Sequence, residues 1–192
     1  MIKIERPGLA LYAVLMMAIT LGLAPAGASA ALLVYMTATG ETQGNIQGGV
    51  TQAGREGSMA ITEYGHAVSA PVDSASGLPS GKRQHRPIRV TKEIDKATPL
   101  LMNVLTNNET LTSVTLRFWR PNQSGTEQQY YTVELVNAHI VNISQSNQHK
   151  LPPGWEAVPA PALETLTLTY QKIIWTWEDG GITSEDDWVT AR

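Results

Sequence analysis

From residue 31 onward apolar and polar positions alternate over short runs, most clearly in Leu163-Glu164-Thr165-Leu166-Thr167-Leu168-Thr169-Tyr170. Leu166, Leu168 and Tyr170 fall on one face and Thr165, Thr167 and Thr169 on the other, the period of a half-buried strand. The same period predicts strands at Leu33–Ala38, Ser58–Tyr64, Ile88–Lys92, Val114–Trp119, Gln129–Leu135, Ala138–Ser144 and Lys172–Trp177. All are rich in the β-branched and aromatic residues that suit a pleated surface. Eight candidate strands predict a mainly β domain. Only Val136-Asn137 separate two of them, which predicts a hairpin there, and Pro121–Gly125 predicts a second.

One segment departs from this period. Thr98 reads as an N-cap and Pro99 as the first helical residue, after which Leu100, Leu101, Val104 and Leu105 fall on one helical face. A short helix, about Pro99 to Thr106, is expected to lay that face over an open end of the sheet structure. Two stretches have no periodicity. Ala70 to Arg86 carries Pro71, Gly77, Pro79 and Gly81 among serines and ends in Lys82, Arg83, His85 and Arg86. Gln145 to Pro161 carries four prolines around Trp155. Long loops without a core of their own are usually functional or mobile.

The chain has 192 residues, enough for one domain with a hydrophobic core. Charged residues make up 16%, well under the usual quarter, so partners are expected to cover part of the surface. A net charge of −3 with interspersed signs gives no basic stripe for a phosphate backbone, which argues against nucleic-acid binding. With no cysteine, disulfides, thiolate nucleophiles and Cys-ligated metals are excluded.

Residues 1–30 change the picture of where the chain goes. Lys3 and Arg6 precede an apolar run from Leu9 to Leu23, followed by Pro25, Gly27 and Ala28-Ser29-Ala30. This is the order of a secretory signal with cleavage at an A-x-A site formed by Ala28 and Ala30. The rival, a retained anchor, would need about 20 apolar residues to span a bilayer, more than the run provides, so no stable membrane span is expected. Residues 31–192 form the domain proper.

The search for chemistry returns little. There is no G-x-S-x-G elbow, no Gly-rich loop leading into a helix, and no metal-binding spacing among His66, His85, His139 and His149. Glu178-Asp179-Gly180-Gly181 and Glu185-Asp186-Asp187 do not follow the order of a calcium loop and read as an acidic turn. The expectation is a non-enzyme without a cofactor. Material for interfaces is more abundant. Trp155, Trp177 and Trp188 lie near strand ends and loops, while Trp119 and Trp175 are expected in the core. The basic stretch Lys82–Arg86 and the acidic Glu185–Asp187 are complementary, which favours head-to-tail contacts between copies.

Six stretches, in order, carry a resemblance. Thr42-Gln43-Gly44-Asn45-Ile46, Pro79-Ser80-Gly81-Lys82-Arg83-Gln84-His85-Arg86-Pro87, Asp95-Lys96-Ala97-Thr98-Pro99-Leu100-Leu101, Leu116-Arg117-Phe118-Trp119-Arg120, Tyr170-Gln171-Lys172-Ile173 with Trp175, and Asp186-Asp187-Trp188 resemble the haemolysin-coregulated protein (Hcp) family. These are the tube proteins of type VI secretion systems. The resemblance implies a compact antiparallel β-barrel with one short helix and a long extended loop, about Val68 to Pro87. It also implies hexameric rings that stack into a tube, working with a contractile sheath and a spike protein and carrying small effectors in the lumen. Pro79, Lys82, Arg83, His85 and Arg86 are then expected to serve ring stacking, and Glu185, Asp186, Asp187 and Trp188 a subunit contact. The resemblance further implies assembly in the cytoplasm before export, without a cleavable signal. A working signal at residues 1–30 would instead send the chain to the periplasm, where the alternative is an exported binding protein on the same barrel.

Overall fold

The computed structural model describes residues 33–147 and 161–188. The expected cleavage site at Ala28 and Ala30, and most of the loop around Trp155, lie outside the described residues. In chain order the elements are β1 (Leu33–Gly40), β2 (Gly44–Ile46), β3 (Met59–Gly65), β4 (Val68–Ser69), β5 (Gln84–His85), β6 (Ile88–Glu93), α1 (Thr98–Thr106), β7 (Leu111–Pro121), β8 (Glu127–Ser146), β9 (Leu163–Trp177) and β10 (Ile182–Asp187).

The strands run in the order β9-β6-β3-β1-β7-β8, every neighbouring pair antiparallel, and β8 pairs back onto β9. That closes a six-stranded barrel, which leaves no open edge among its own members. β2 folds back on β1, and β10 extends the sheet along the second half of β9. Inside are the residues the alternation assigns inward, among them Met36, Ile61, Val90, Leu116, Val133, Leu135, Leu166 and Leu168, all buried. The predicted β7–β8 hairpin is present, its turn held by the Asn122 side chain, which accepts from the amides of Ser124 and Thr126.

The predicted hairpin at Val136-Asn137 is not. β8 runs unbroken for 20 residues, and the two strands read in 163–177 are likewise one strand of 15. The reason is a change of face. In β8 the buried set passes from Val133 and Leu135 to Ala138 and Ile140, and in β9 from Leu166, Leu168 and Tyr170 to Ile173. Both changes occur at one level of the barrel, where the Asn137 side-chain amide donates to Gln171 Oε1 at 2.8 Å. Asn137 sits at φ 50°, a left-handed conformation that asparagine tolerates better than most residues. A parity reversal inside one strand reads, in sequence, as a turn between two.

Helix α1 begins one residue earlier than predicted. Ala97 holds the N-cap place, without a side-chain bond, and Thr98 is helical with its hydroxyl committed elsewhere. Leu101 and Val104 join the core, Leu105 packs against it, and Leu100, expected on the same face, is exposed. The Thr42-Gln43 signature also finds its cause: both backbone amides donate to Glu109 Oε1, at 2.7 and 2.9 Å, and Gln43 Nε2 donates to Glu109 Oε2. Glu109 thereby ties the β1–β2 turn to the chain leaving α1.

Ala70–Arg86 is a protruding hairpin. β4 and β5 pair at its root, Val72 bridges Pro79 further out, and the turn is closed by Asp73, whose Oδ1 accepts from the amides of Ala75 and Ser76. Its tip is therefore Asp73–Leu78, and the basic residues lie on the returning limb near the root. Glu185–Asp187, expected as an acidic turn, belong to strand β10.

Candidate functional site

The hairpin root meets the barrel at β9 and β10, and there the structure joins residues that the sequence left apart. Arg83, before β5, pairs through its Nε and Nη2 with both carboxylate oxygens of Asp186 on β10, a bidentate fork. The same Asp186 lies 2.6 Å from His85 Nε2. His85 Nδ1 is 2.9 Å from the Tyr170 hydroxyl on β9, which is 2.7 Å from His66 Nε2.

Hydrogen-bond logic orders the protons along this chain. A carboxylate only accepts, so His85 donates from Nε2, its Nδ1 lone pair accepts the Tyr170 hydroxyl proton, and the Tyr170 oxygen accepts from His66 Nε2. Both imidazoles are neutral in that arrangement. Burial, followed by the Arg83 guanidinium, pushes His85 below the ordinary histidine value. Burial, followed by His85, does the same to His66. Burial also pushes the Tyr170 phenol up, keeping it a neutral donor. Trp175 stacks on His85 at 6.3 Å with an interplanar angle of 18°, and the Trp188 ring lies 5.3 Å from that of His85, tilted by 52°.

The basic and acidic stretches expected to meet between copies are thus partly satisfied within one chain, through Arg83 and Asp186. Lys172 likewise pairs with Glu185 at 2.8 Å, next to β10. Pro79 stands near the hairpin tip, where Val72 and Leu78 are 60% and 65% exposed. Arg86 faces outward at the root. Lys82 and Trp188 border a small hollow over Arg83 and Asp186.

Two further clusters were not anticipated. Lys92 and Glu164 stand directly opposite each other on β6 and β9, and both are buried. Lys92 Nζ lies 2.8 Å from Glu164 Oε1 and 2.8 Å from Asp95 Oδ1, and it donates to the Glu93 carbonyl. The Thr98 hydroxyl donates to Glu164 Oε1 at 2.7 Å, and Gln145 donates to Oε2. Burial works against the Asp95 carboxylate, but Lys92 and the amides of Gly49 and Ala97 outweigh it and hold Asp95 below its usual range. The sequence contained the signal: Lys92 follows Ile88 and Val90 at inward parity, and Glu164 precedes Leu166 and Leu168 in the same way. Two opposite charges on inward faces must find each other. This network anchors α1 to the barrel wall.

The second cluster corrects the expectation for Trp119. It lies on the outer face, with the Arg55 guanidinium 3.8 Å over its ring and Glu127 2.8 Å from Arg55. The parity of Val114, Leu116 and Phe118, which face inward, turns Trp119 out. Trp175 does pack against the core. His66 and Tyr170 were missed as partners because their meeting depends on the path of the hairpin.

No group of three or more His, Cys, Asp or Glu residues among those described is arranged to hold a metal ion. No described helix is long and apolar enough to cross a membrane.

Comparison with known proteins places this geometry. The family profile described as "Type VI secretion system effector, Hcp" matches residues 35–177. The "Major exported protein" of Pseudomonas aeruginosa is 38% identical over 163 residues, covering 80% of this chain and 94% of that protein. Among solved structures, the Hcp1 protein of E. coli EAEC 042 superposes with a TM-score of 0.72 at 30% identity, over 82% of this chain and 99% of the other. The secreted protein Hcp3 of Pseudomonas aeruginosa gives 0.66 at 33% identity, over 82% and 99%.

Proposed function

The chain belongs to the Hcp family of type VI secretion system proteins, and from that premise we propose that it is a structural subunit of the inner tube, forming hexameric rings that stack and are exported. The observation that carries this reading is the protruding hairpin: an apolar tip at Val72 and Leu78, held out from a closed barrel by the Arg83–Asp186–His85–Tyr170 root. Exposed valine and leucine on a braced arm suit insertion into a neighbouring ring. Small effectors would ride in the lumen, and the sheath and spike would act on the finished tube. No catalytic step is assigned to it.

Light scattering of the purified protein tests the ring. A mass of six chains is expected, and a strict monomer at high concentration would overturn the reading. Electron microscopy tests stacking. Val72→Asp with Leu78→Asp should leave rings intact and abolish tubes. Reversing Arg83 is a poorer probe of stacking, because it also breaks the pair with Asp186.

Secretion of the assembled tube is the route this reading gives the chain. The signal-like order of residues 1–30 favours a second reading, export to the periplasm as a binding protein on the same barrel. Intact mass of the exported protein separates them: a chain beginning at Ala31 supports cleavage after Ala30, and export that persists without the sheath supports the second route.

A further inference from the structure

Beside the hairpin root, away from Asp186, a concave pocket of about 380 Å³ opens on the outer face of the barrel. Arg86 and Arg89 line it, with His66, Thr167 and the open backbone of Gly65. Neither arginine forms an ion pair among the described residues, in contrast to Arg55 and Arg83. Two guanidinium groups facing one hollow repel each other and together attract a carboxylate. Apolar surface flanks the pocket: Val68 follows Ala67 out of it, Val141 bulges from β8 opposite Leu168 and Thr167, and the two valines are about half exposed.

The complementary surface lies at the other end of the same strand. β9 carries Thr167 near its start and leads at its end into the exposed turn Glu178-Asp179-Gly180-Gly181. Glu178 is held by the neutral donors Gln129 and Thr132, and Asp179 meets no cation among the described residues. Next to the turn, Ile182 and Trp177 face each other across β10 and β9, and both are exposed. Arg120 packs its guanidinium 5.2 Å from the Trp177 ring centroid, so the turn itself, Glu178 and Asp179, supplies the negative charge of this surface and Trp177 and Ile182 its apolar pair.

Glu178 lies eleven residue steps beyond Thr167 along β9, a span of roughly 35 Å at the usual rise per residue. The turn does not reach the pocket of its own chain. We propose that the acidic Glu178–Gly181 turn of one copy docks in the Arg86–Arg89 pocket of the next, with Trp177 and Ile182 against Val68 and Val141. Such a contact uses two different surfaces, so it repeats head to tail and either closes into a ring or continues as a stack. The inference rests on the tube-subunit reading and supplies one contact within it.

Charge exchange tests it on the full chain. Arg86→Glu with Arg89→Glu, and separately Glu178→Lys with Asp179→Lys, should each weaken self-association about tenfold or more, as reversing a facing charge does. Mixing the two variants should restore assembly, because opposite charges then meet again at the mixed contact. In the wild type, raising salt from about 0.1 M to about 1 M should weaken association through screening. If the wild type assembles and both variants assemble equally well, the contact is wrong while the tube reading stands. If the variants are weak and their mixture is no better, the pairing is wrong as well. A wild type that never self-associates overturns the tube reading itself.

Discussion

Lys92 shows how much a single side chain decides. Replacing it with methionine leaves Glu164 buried with only hydroxyl and amide donors, an expected loss of about 3–5 kcal/mol. Replacing both Lys92 and Glu164 with methionine removes the charge pair together, and most of that loss should be recovered. Urea unfolding of the two variants measures the difference, and equal stability of single and double variants would contradict the pairing. His66 and His85 set a second expectation. Both are held below the unfolded histidine value of 6.5, so the unfolded chain takes up protons first as pH falls. Their contribution to stability is complete above that value and is lost as pH drops beneath it. The melting temperature should fall between about pH 7 and pH 5, and the fall should shrink in a His66→Gln, His85→Gln variant. A wild-type profile that is flat through this window would sink the assignment.

At the scale of elements, the strands that alternate cleanly were legible, and so was the one helix. Ile88 to Lys92 and Val114 to Phe118 keep one parity from end to end, and the alternation places them correctly. β8 and β9 do not, because Asn137 in its left-handed conformation turns the inward set over, and Gln171 accepts its amide across the line. A period-two reading has no means to tell that reversal from a chain break. The site was legible in part for a similar reason. Arg83, His85 and Asp186 stood out by charge, but their meeting within one chain depends on the hairpin folding back against β10, which no local pattern contains. Asn137→Val should cost about 1–2 kcal/mol from backbone strain, with the Gln171 bond lost in addition, whereas Asn137→Gly should keep the conformation and lose little beyond that bond. Chemical denaturation of both variants checks the order.

Across the described residues, a closed barrel carries an arm that has no core of its own. Closure gives the barrel its stability, since paired walls leave no strand of the six exposed to chance pairing. Among the described residues the arm is braced at its root. Asp186→Asn should therefore spare the barrel, lowering global stability little, while protease cleavage within 70–86 becomes faster. Limited proteolysis followed by mass measurement of the fragments reads this directly, and unchanged cleavage would show that the root does not brace the arm. The brace also has a timing. Arg83 and Asp186 stand 103 positions apart in the chain, and during synthesis the earlier residue emerges long before its partner. Until β10 arrives, the arm lacks its brace at Asp186. A growing chain on the ribosome thus lacks the braced projection until β10 has been made.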